Sequence, residues 1–282
     1  MRLYSPLPLP NILEKGPVAW LDMVQKAGFH AMYAPNELRG APDDVLRIFQ
    51  VEARERDIIL SEVGAWGNNP IHPDTTEAAK SIANCQRALA DAERIGALCA
   101  VNITGSCSPE QWDGPHPKNL TRETFDAVVE STRKIVDGVK PRRAKYVLET
   151  MPWIYPDSPE SYLELLKAVD RDTVGVHLDI ANMVNCPSRI FDNTAFINHC
   201  FDLLGDKVIA IHAKELIYRN NLTFHIDEVI WGQGVMDLRT FLKRANAIHP
   251  DVPVGLEHMP FESFAPSIIH IRAIAQELNI HL

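Results

Sequence analysis

Four short stretches of the chain end an apolar run on a group that can hold a cation or move a proton: "YVLET" at Glu149, "VGVHLD" at Asp179, "VIAIHAKE" at His212 and "VGLEHM" at Glu257. Three carboxylates converging on one place repel one another and cannot all stay ionised unaided. A divalent cation removes the conflict, because carboxylate oxygens with one imidazole nitrogen suit Mn²⁺ first, and also Mg²⁺, Co²⁺ or Zn²⁺, with coordination positions left over for substrate. One acidic residue at the end of an apolar run is ordinarily a helix cap or a loop hydrogen-bonder. Four such ends in succession favour a shared ion.

The elements that must position them follow from the alternation of the chain. Short Val- and Ile-rich runs, each followed by a turn and a segment of helical periodicity, mark βα units and a parallel sheet. Strands are expected at 31–34, 58–63, 98–103, 146–149, 174–179, 208–212 and 254–257, with a weaker one at 2–4 cut short by prolines at 6, 8 and 10. Helices are expected at 17–27, 43–56, 74–96, 121–138, 159–169, 191–204, 238–248 and 262–279. Eight of each in 282 residues, with no Gly/Ser linker, predict one closed (β/α)₈ barrel spanning 1–282 rather than an open doubly wound sheet. No G-x-G-x-x-G follows the first strand, so a dinucleotide site is not expected.

Such barrels place their chemistry at the C-terminal ends of the strands. There Glu149 and Glu257 are expected to act on substrate as well as hold metal, and Glu62 and Asn102, ending the third and fourth runs, to supply hydrogen bonds from the wall. Lys214 shares the strand face of His212 and is a candidate oxyanion stabiliser, weighed evenly against a loop salt bridge. His177 lies two residues before Asp179 on the same face and so one layer deeper, where a satisfied core histidine is the preferred reading. His258, next to Glu257, is expected to point outward without a role. His116 in "WDGPHP", and His225 with Asp227 in the long connection after the seventh strand, are placed as substrate contacts against the plainer reading of loop groups. Trp66, Trp112, Trp153 and Trp231 follow strand ends and offer flat apolar faces for a sugar ring. Arg189 alone is weak support for a phosphate.

With "HAKE", "GQGVMDLRTFL" and "GLEHM", the E…D…H…E set resembles the xylose isomerase-like barrel superfamily of sugar-phosphate isomerases and epimerases, over essentially the whole chain. That resemblance implies one catalytic divalent metal on Glu149, Asp179, His212 and Glu257, and a sugar or polyol substrate. The epimerase or isomerase reading leads, a lyase of the inosose dehydratase kind follows, and a non-catalytic sugar-binding barrel comes third. The endonuclease branch of the superfamily carries extra zinc-binding histidines where this chain has Glu62, Asn102 and Asn182. A net charge of −9 likewise argues against a nucleic-acid partner. Five cysteines without C-x-x-C spacing exclude a disulfide framework and a cysteine-ligated zinc site. No apolar run reaches the ~20 residues of a membrane span, and the N-terminus lacks a signal-peptide pattern, so the expected compartment is the cytoplasm. The resemblance leaves room for a homo-oligomer, though no surface stripe shows how copies would pair.

Overall fold

In the computed structural model, which describes all 282 residues, the chain folds as a (β/α)₈ barrel whose strands we number β1 to β8. They are β1 (Arg2–Tyr4), β2 (Ala31–Met32), β3 in two pieces (Ile59–Leu60 and Glu62–Gly64), β4 (Cys99–Asn102), β5 (Lys145–Glu149), β6 (Val174–Asp179), β7 (Val208–Ala213) and β8 (Pro253–Leu256). A curled parallel sheet of seven strands runs from β1 through β8, β7, β6, β5 and β4 to the second piece of β3. The gap is bridged by β2, which pairs with the first piece of β3 through Ala31↔Ile59 and Met32↔Leu60. On its other side Tyr33 meets Tyr4 of β1 edge to face, ring centroids 4.7 Å apart.

The short strand at 2–4 is therefore real despite its prolines. It sits at the start of the barrel, where Arg2 N–H donates to the Val252 carbonyl and β1 pairs with β8 in register Leu3↔Val254 and Tyr4↔Gly255. The third strand, by contrast, is not one continuous run. At Ser61 the ladder changes partner, with Ser61 N–H on the Met32 carbonyl and its own carbonyl accepting from Cys99 N–H.

Both faces of the central strands are buried, as a parallel sheet covered by helices requires. Outward residues such as Val176, Leu178 and Ile211 join the continuous core under the helices. Inward residues Cys99, Val101, Val147 and Ala210 form a separate small cluster inside the barrel. Helices form where the sequence puts an apolar stripe behind a cap: Asp74 accepts from Thr76 and Glu77 N–H ahead of Thr75–Ile95, and Ser158 with Ser161 forms a reciprocal cap ahead of Pro159–Val169. No helix is long and apolar enough to cross a membrane.

After β7 the chain adds an antiparallel hairpin, Glu215–Arg219 paired with His225–Val229. The return from this hairpin is pinned: the buried Glu215 carboxylate accepts from Gly232 N–H, and Val235 N–H donates to the Leu216 carbonyl. A Cβ at Gly234 would lie 2.4 Å from that carbonyl, so the turn is built around a bare backbone. The "HAKE" and "GQG" motifs thus meet as two halves of one structural tie.

Candidate metal centre and active-site cavity

Inward-facing positions of four neighbouring strands build the centre. Register pairs Glu149 with His177 across β5 and β6, and Asp179 with His212 across β6 and β7. His212 in turn pairs with Gly255, and Glu257 follows the end of β8. One ligand atom from each of Glu149, Asp179, His212 and Glu257 lies within 4.8 Å of the others. His212 Nδ1 is 2.9 Å from Glu257 Oε1 and 3.4 Å from Glu149 Oε1.

Lys214 also belongs here. Its ammonium lies 2.6 Å from Glu257 Oε1, 2.8 Å from Asp179 Oδ2 and 3.6 Å from Glu149 Oε1, with a hydrogen bond to Asn182 Oδ1 at 3.3 Å. The group is 1 % exposed, so it is an internal counter-ion rather than a loop salt bridge. Asn182, one helical turn past Asp179, gives its side-chain N–H to Glu149 Oε1 at 3.1 Å, and its backbone N–H goes to Asp179 Oδ1 at 3.0 Å. Its importance was hidden because a neutral amide three residues after an acid has no distinctive sequence signature.

A buried polar layer adjoins this centre from within the barrel. Glu62 receives His177 Nε2 at 3.0 Å, His212 Nε2 at 3.3 Å and Tyr4 Oη at 3.4 Å, and is almost fully enclosed. It therefore does not form the cavity wall, as its place at the end of a predicted strand suggested. It begins the second piece of β3 and points into the closed interior. Gly255 makes room for this arrangement, since a Cβ there would lie 2.6 Å from Tyr4 Cζ and 2.7 Å from its hydroxyl.

Charge and burial decide the protonation of the group. Burial pushes the Asp179 carboxyl up, and despite the neighbouring Lys214 it settles at about 6, with Glu149 and Glu257 adding to the rise. For Glu149 and Glu257 burial is again the largest influence and acts the same way, yet the charge and hydrogen bond of His212, joined by Lys214, together hold both below the usual carboxylate range. Burial likewise opposes ionisation of Glu62, but His212 and His177 bring it down to about 2. Burial disfavours the imidazolium of His212, whereas Glu257 and Glu62 raise its pKa well above the ordinary value.

These residues fit a divalent ion. Asp179 Oδ2 and Glu257 Oε1 are buried atoms without a directed hydrogen bond, although the Lys214 ammonium is close to both. Four carboxylates, counting Glu62, share Lys214 as their one permanent positive charge, with His212, His177 and His258 as neighbouring imidazoles, which leaves excess negative charge for a cation to balance. Three oxygens and one imidazole nitrogen form a donor set suited to Mn²⁺, Mg²⁺, Co²⁺ or Zn²⁺.

A cavity of about 360 Å³ opens on this centre, bounded by Glu149, Glu257 and Asn182 and walled by Trp66, Trp112 and Trp153. Trp153 Nε1 donates to the Asp113 carbonyl at 2.9 Å and so fixes one loop of the wall against another. Trp231 is elsewhere: buried, packed on Phe241 and donating to the Ala213 carbonyl at 3.2 Å, it anchors the loop after the hairpin.

Several expected contacts fall outside the cavity. Asn102 turns into the core, giving its amide to the Asn68 carbonyl at 3.1 Å, and Ile103 takes the wall position. His116 is a loop residue accepting from Lys118 N–H, His225 is exposed beside Thr223, and Asp227 pairs with Arg219. Arg189 spends its guanidinium on the Met183 and Asp157 carbonyls. His177 is the buried core histidine its strand parity indicates. His258 departs from expectation in the other direction: it lines the cavity, 3.5 Å from Glu257 Oε2 and 3.4 Å from Glu228 Oε2. Its φ of 56° is left-handed, which ends strand alternation immediately after Glu257 and turns the ring back toward the mouth.

The family model described as "Xylose isomerase-like TIM barrel" matches residues 21–274. No curated protein sequence matches the chain. Among solved structures, a D-tagatose 3-epimerase-like protein superposes with a TM-score of 0.69 at 18% identity, over 99% of this chain and 98% of that one. The IOLI protein with a binding zinc atom gives 0.68 at 18% identity, over 99% and 98%. The probable 3-DHS dehydratase AsbF from Bacillus anthracis gives 0.67 at 15% identity, over 91% and 93%. At these identities the likeness is one of fold.

Proposed function

Because the chain belongs to the xylose isomerase-like TIM barrel family, we propose that it is a divalent-metal-dependent isomerase or epimerase acting on a ketose or related sugar, with Mn²⁺ first among the candidate ions. The observation that carries this reading is the convergence of Glu149, Asp179, His212 and Glu257 on one point at the edge of a cavity. A divalent ion bound there would act as a Lewis acid, stabilising the negative charge that develops on a carbonyl oxygen when the adjacent carbon loses a proton. The chain supplies the bases. Glu149 and Glu257 both border the cavity, so either carboxylate is placed to accept a proton from carbon.

Asn182 and Lys214 hold Glu149 and Glu257 respectively in place, and Lys214 offers a positive group beside the site of developing charge. If the two glutamates address opposite faces of the same carbon, one removes the proton and the other returns one with inversion, which is epimerisation. A single base moving the proton to the neighbouring carbon gives aldose–ketose isomerisation. A probable dehydratase among the structures of like fold keeps the lyase reading second: the same deprotonation followed by loss of a β-hydroxyl as water.

The test is incubation of the Mn²⁺-loaded protein with free ketoses in D₂O. Deuterium entering the carbon next to the carbonyl in recovered or epimerised sugar supports the reading, whereas a product lacking one water moves the assignment to a lyase. A purified protein that binds no divalent ion would leave a non-catalytic sugar-binding barrel in its place.

A further inference from the structure

The cavity is graded in depth and in polarity. Its floor carboxylates are nearly closed off, with the side chains of Glu149 and Glu257 6 % and 15 % exposed. Its rim is apolar and open, with Trp66 42 % and Trp153 39 % exposed. These indoles are the conspicuous large apolar groups left to solvent around the mouth, and the bond from Trp153 to Asp113 holds that part of the rim in place. A sugar ring engaged by the floor carboxylates would lie on the polar side of this gradient, with the exposed indoles on its apolar side. A second ring joined to it would cover them, gaining the apolar contact that flat indoles make with a sugar or aryl face.

Charge narrows the ligand further. The lining includes the acidic groups Asp113, Glu149 and Glu257, and no arginine or lysine. The cations at its edge are already engaged: Lys214 with Glu257 and Asp179, and His258 with Glu228. Even with a divalent ion on the floor, that ion and Lys214 only partly balance four carboxylates, so a phosphate dianion away from the ion, beside Asp113, would meet no free counter-charge.

From the acidic floor and the open indole rim we infer that this cavity takes an uncharged two-ring substrate, a keto sugar joined to a second ring with an apolar face, and rejects phosphorylated sugars. The inference deepens the sugar-directed function proposed above and rests on it. The second ring, whether sugar or aryl, is recognised by Trp66 and Trp153, while the reacting ring is held on the floor.

Binding tests it independently of turnover. Tryptophan fluorescence of the Mn²⁺-loaded full chain is titrated with glucose, glucose 6-phosphate, cellobiose and phenyl β-D-glucoside. At least one two-ring probe is expected to bind about tenfold more tightly than glucose, with glucose 6-phosphate the weakest. Trp66→Ala and Trp153→Phe should each reduce that advantage, and both positions are open enough for the fold to tolerate the change. The better of cellobiose and phenyl glucoside tells whether the rim reads a sugar or an aryl group. Glucose 6-phosphate binding as tightly as the two-ring probes, two-ring probes no tighter than glucose, or an advantage unaffected by both substitutions overturns the inference. Deuterium exchange into a free ketose would still stand in those cases, so the two proposals fail separately.

Discussion

Glu62→Gln is the most informative perturbation, because it preserves side-chain volume while removing one charge from a group with no access to solvent. Glu62 Oε1 lies 3.3 Å from His212 Nε2. That bond commits Nε2 to carrying a proton and turns Nδ1 toward Glu149 and Glu257, where an ion would be held. At an effective dielectric of ~20 the gross attraction between unit charges at this separation is ~5 kcal/mol, most of it offset by the burial of both groups. The surplus expressed in metal binding should match that of other hydrogen-bonded partners of a ligating histidine, a loss of roughly 10- to 100-fold in affinity, or ~1.4–2.7 kcal/mol. Competitive titration of Mn²⁺ or Zn²⁺ against a chromophoric chelator measures it. The deficit should be largest at alkaline pH and shrink on acidification, because Glu62 also strengthens the proton that competes for His212. An affinity within twofold of the parent at every pH would refute the reasoning and leave the orientation of His212 to packing against His177 and Tyr33 alone.

Three other outcomes follow from the geometry. Metal-induced stabilisation, read as the rise in Tm on adding Mn²⁺, should grow between pH 5 and 8: Asp179, with its pKa at about 6, and His212, raised well above 6.5, both carry protons that the ion must displace; a shift that is constant or falls with pH contradicts this. Glu257→Gln should abolish deuterium exchange into substrate while the circular dichroism spectrum stays unchanged, and a fully active variant removes Glu257 from the chemistry. Gly255→Ala should lower stability by about 1–3 kcal/mol in urea unfolding, because the added methyl meets the Tyr4 ring; a neutral effect would show that the barrel interior yields there.

The legible parts of the sequence were those where one period dominates. Val174–Asp179 alternates cleanly, and the observed strand has those bounds; the helix Leu238–Ile248 agrees equally well with its predicted range. The four candidate ligands were readable because each ends such a run. The third strand was not: Ile58–Val63 looks continuous, but closing the barrel moves the ladder from β2 to β4 at Ser61, and Glu62 is carried inward with it. His258 escaped because alternation presumes extended backbone, and one left-handed residue cancels it. Trp231 could not be told from Trp66 by position after a strand, since the difference lies in a carbonyl acceptor, Ala213, brought close only by folding. The hairpin strand His225–Val229 carries charges on a partly exposed ribbon and has no apolar stripe to announce it.

The tie between Glu215 and the Gly232 turn divides the segment after β7 into two mechanical regimes. Below the knot the backbone leads straight into Lys214 and His212; above it the hairpin ends in an exposed tip at residues 220–224. Changes of length or composition at the tip should therefore be absorbed before they reach the ligands, which makes the hairpin an exchangeable handle. Peptides could be grafted there while the floor of the cavity keeps its dimensions.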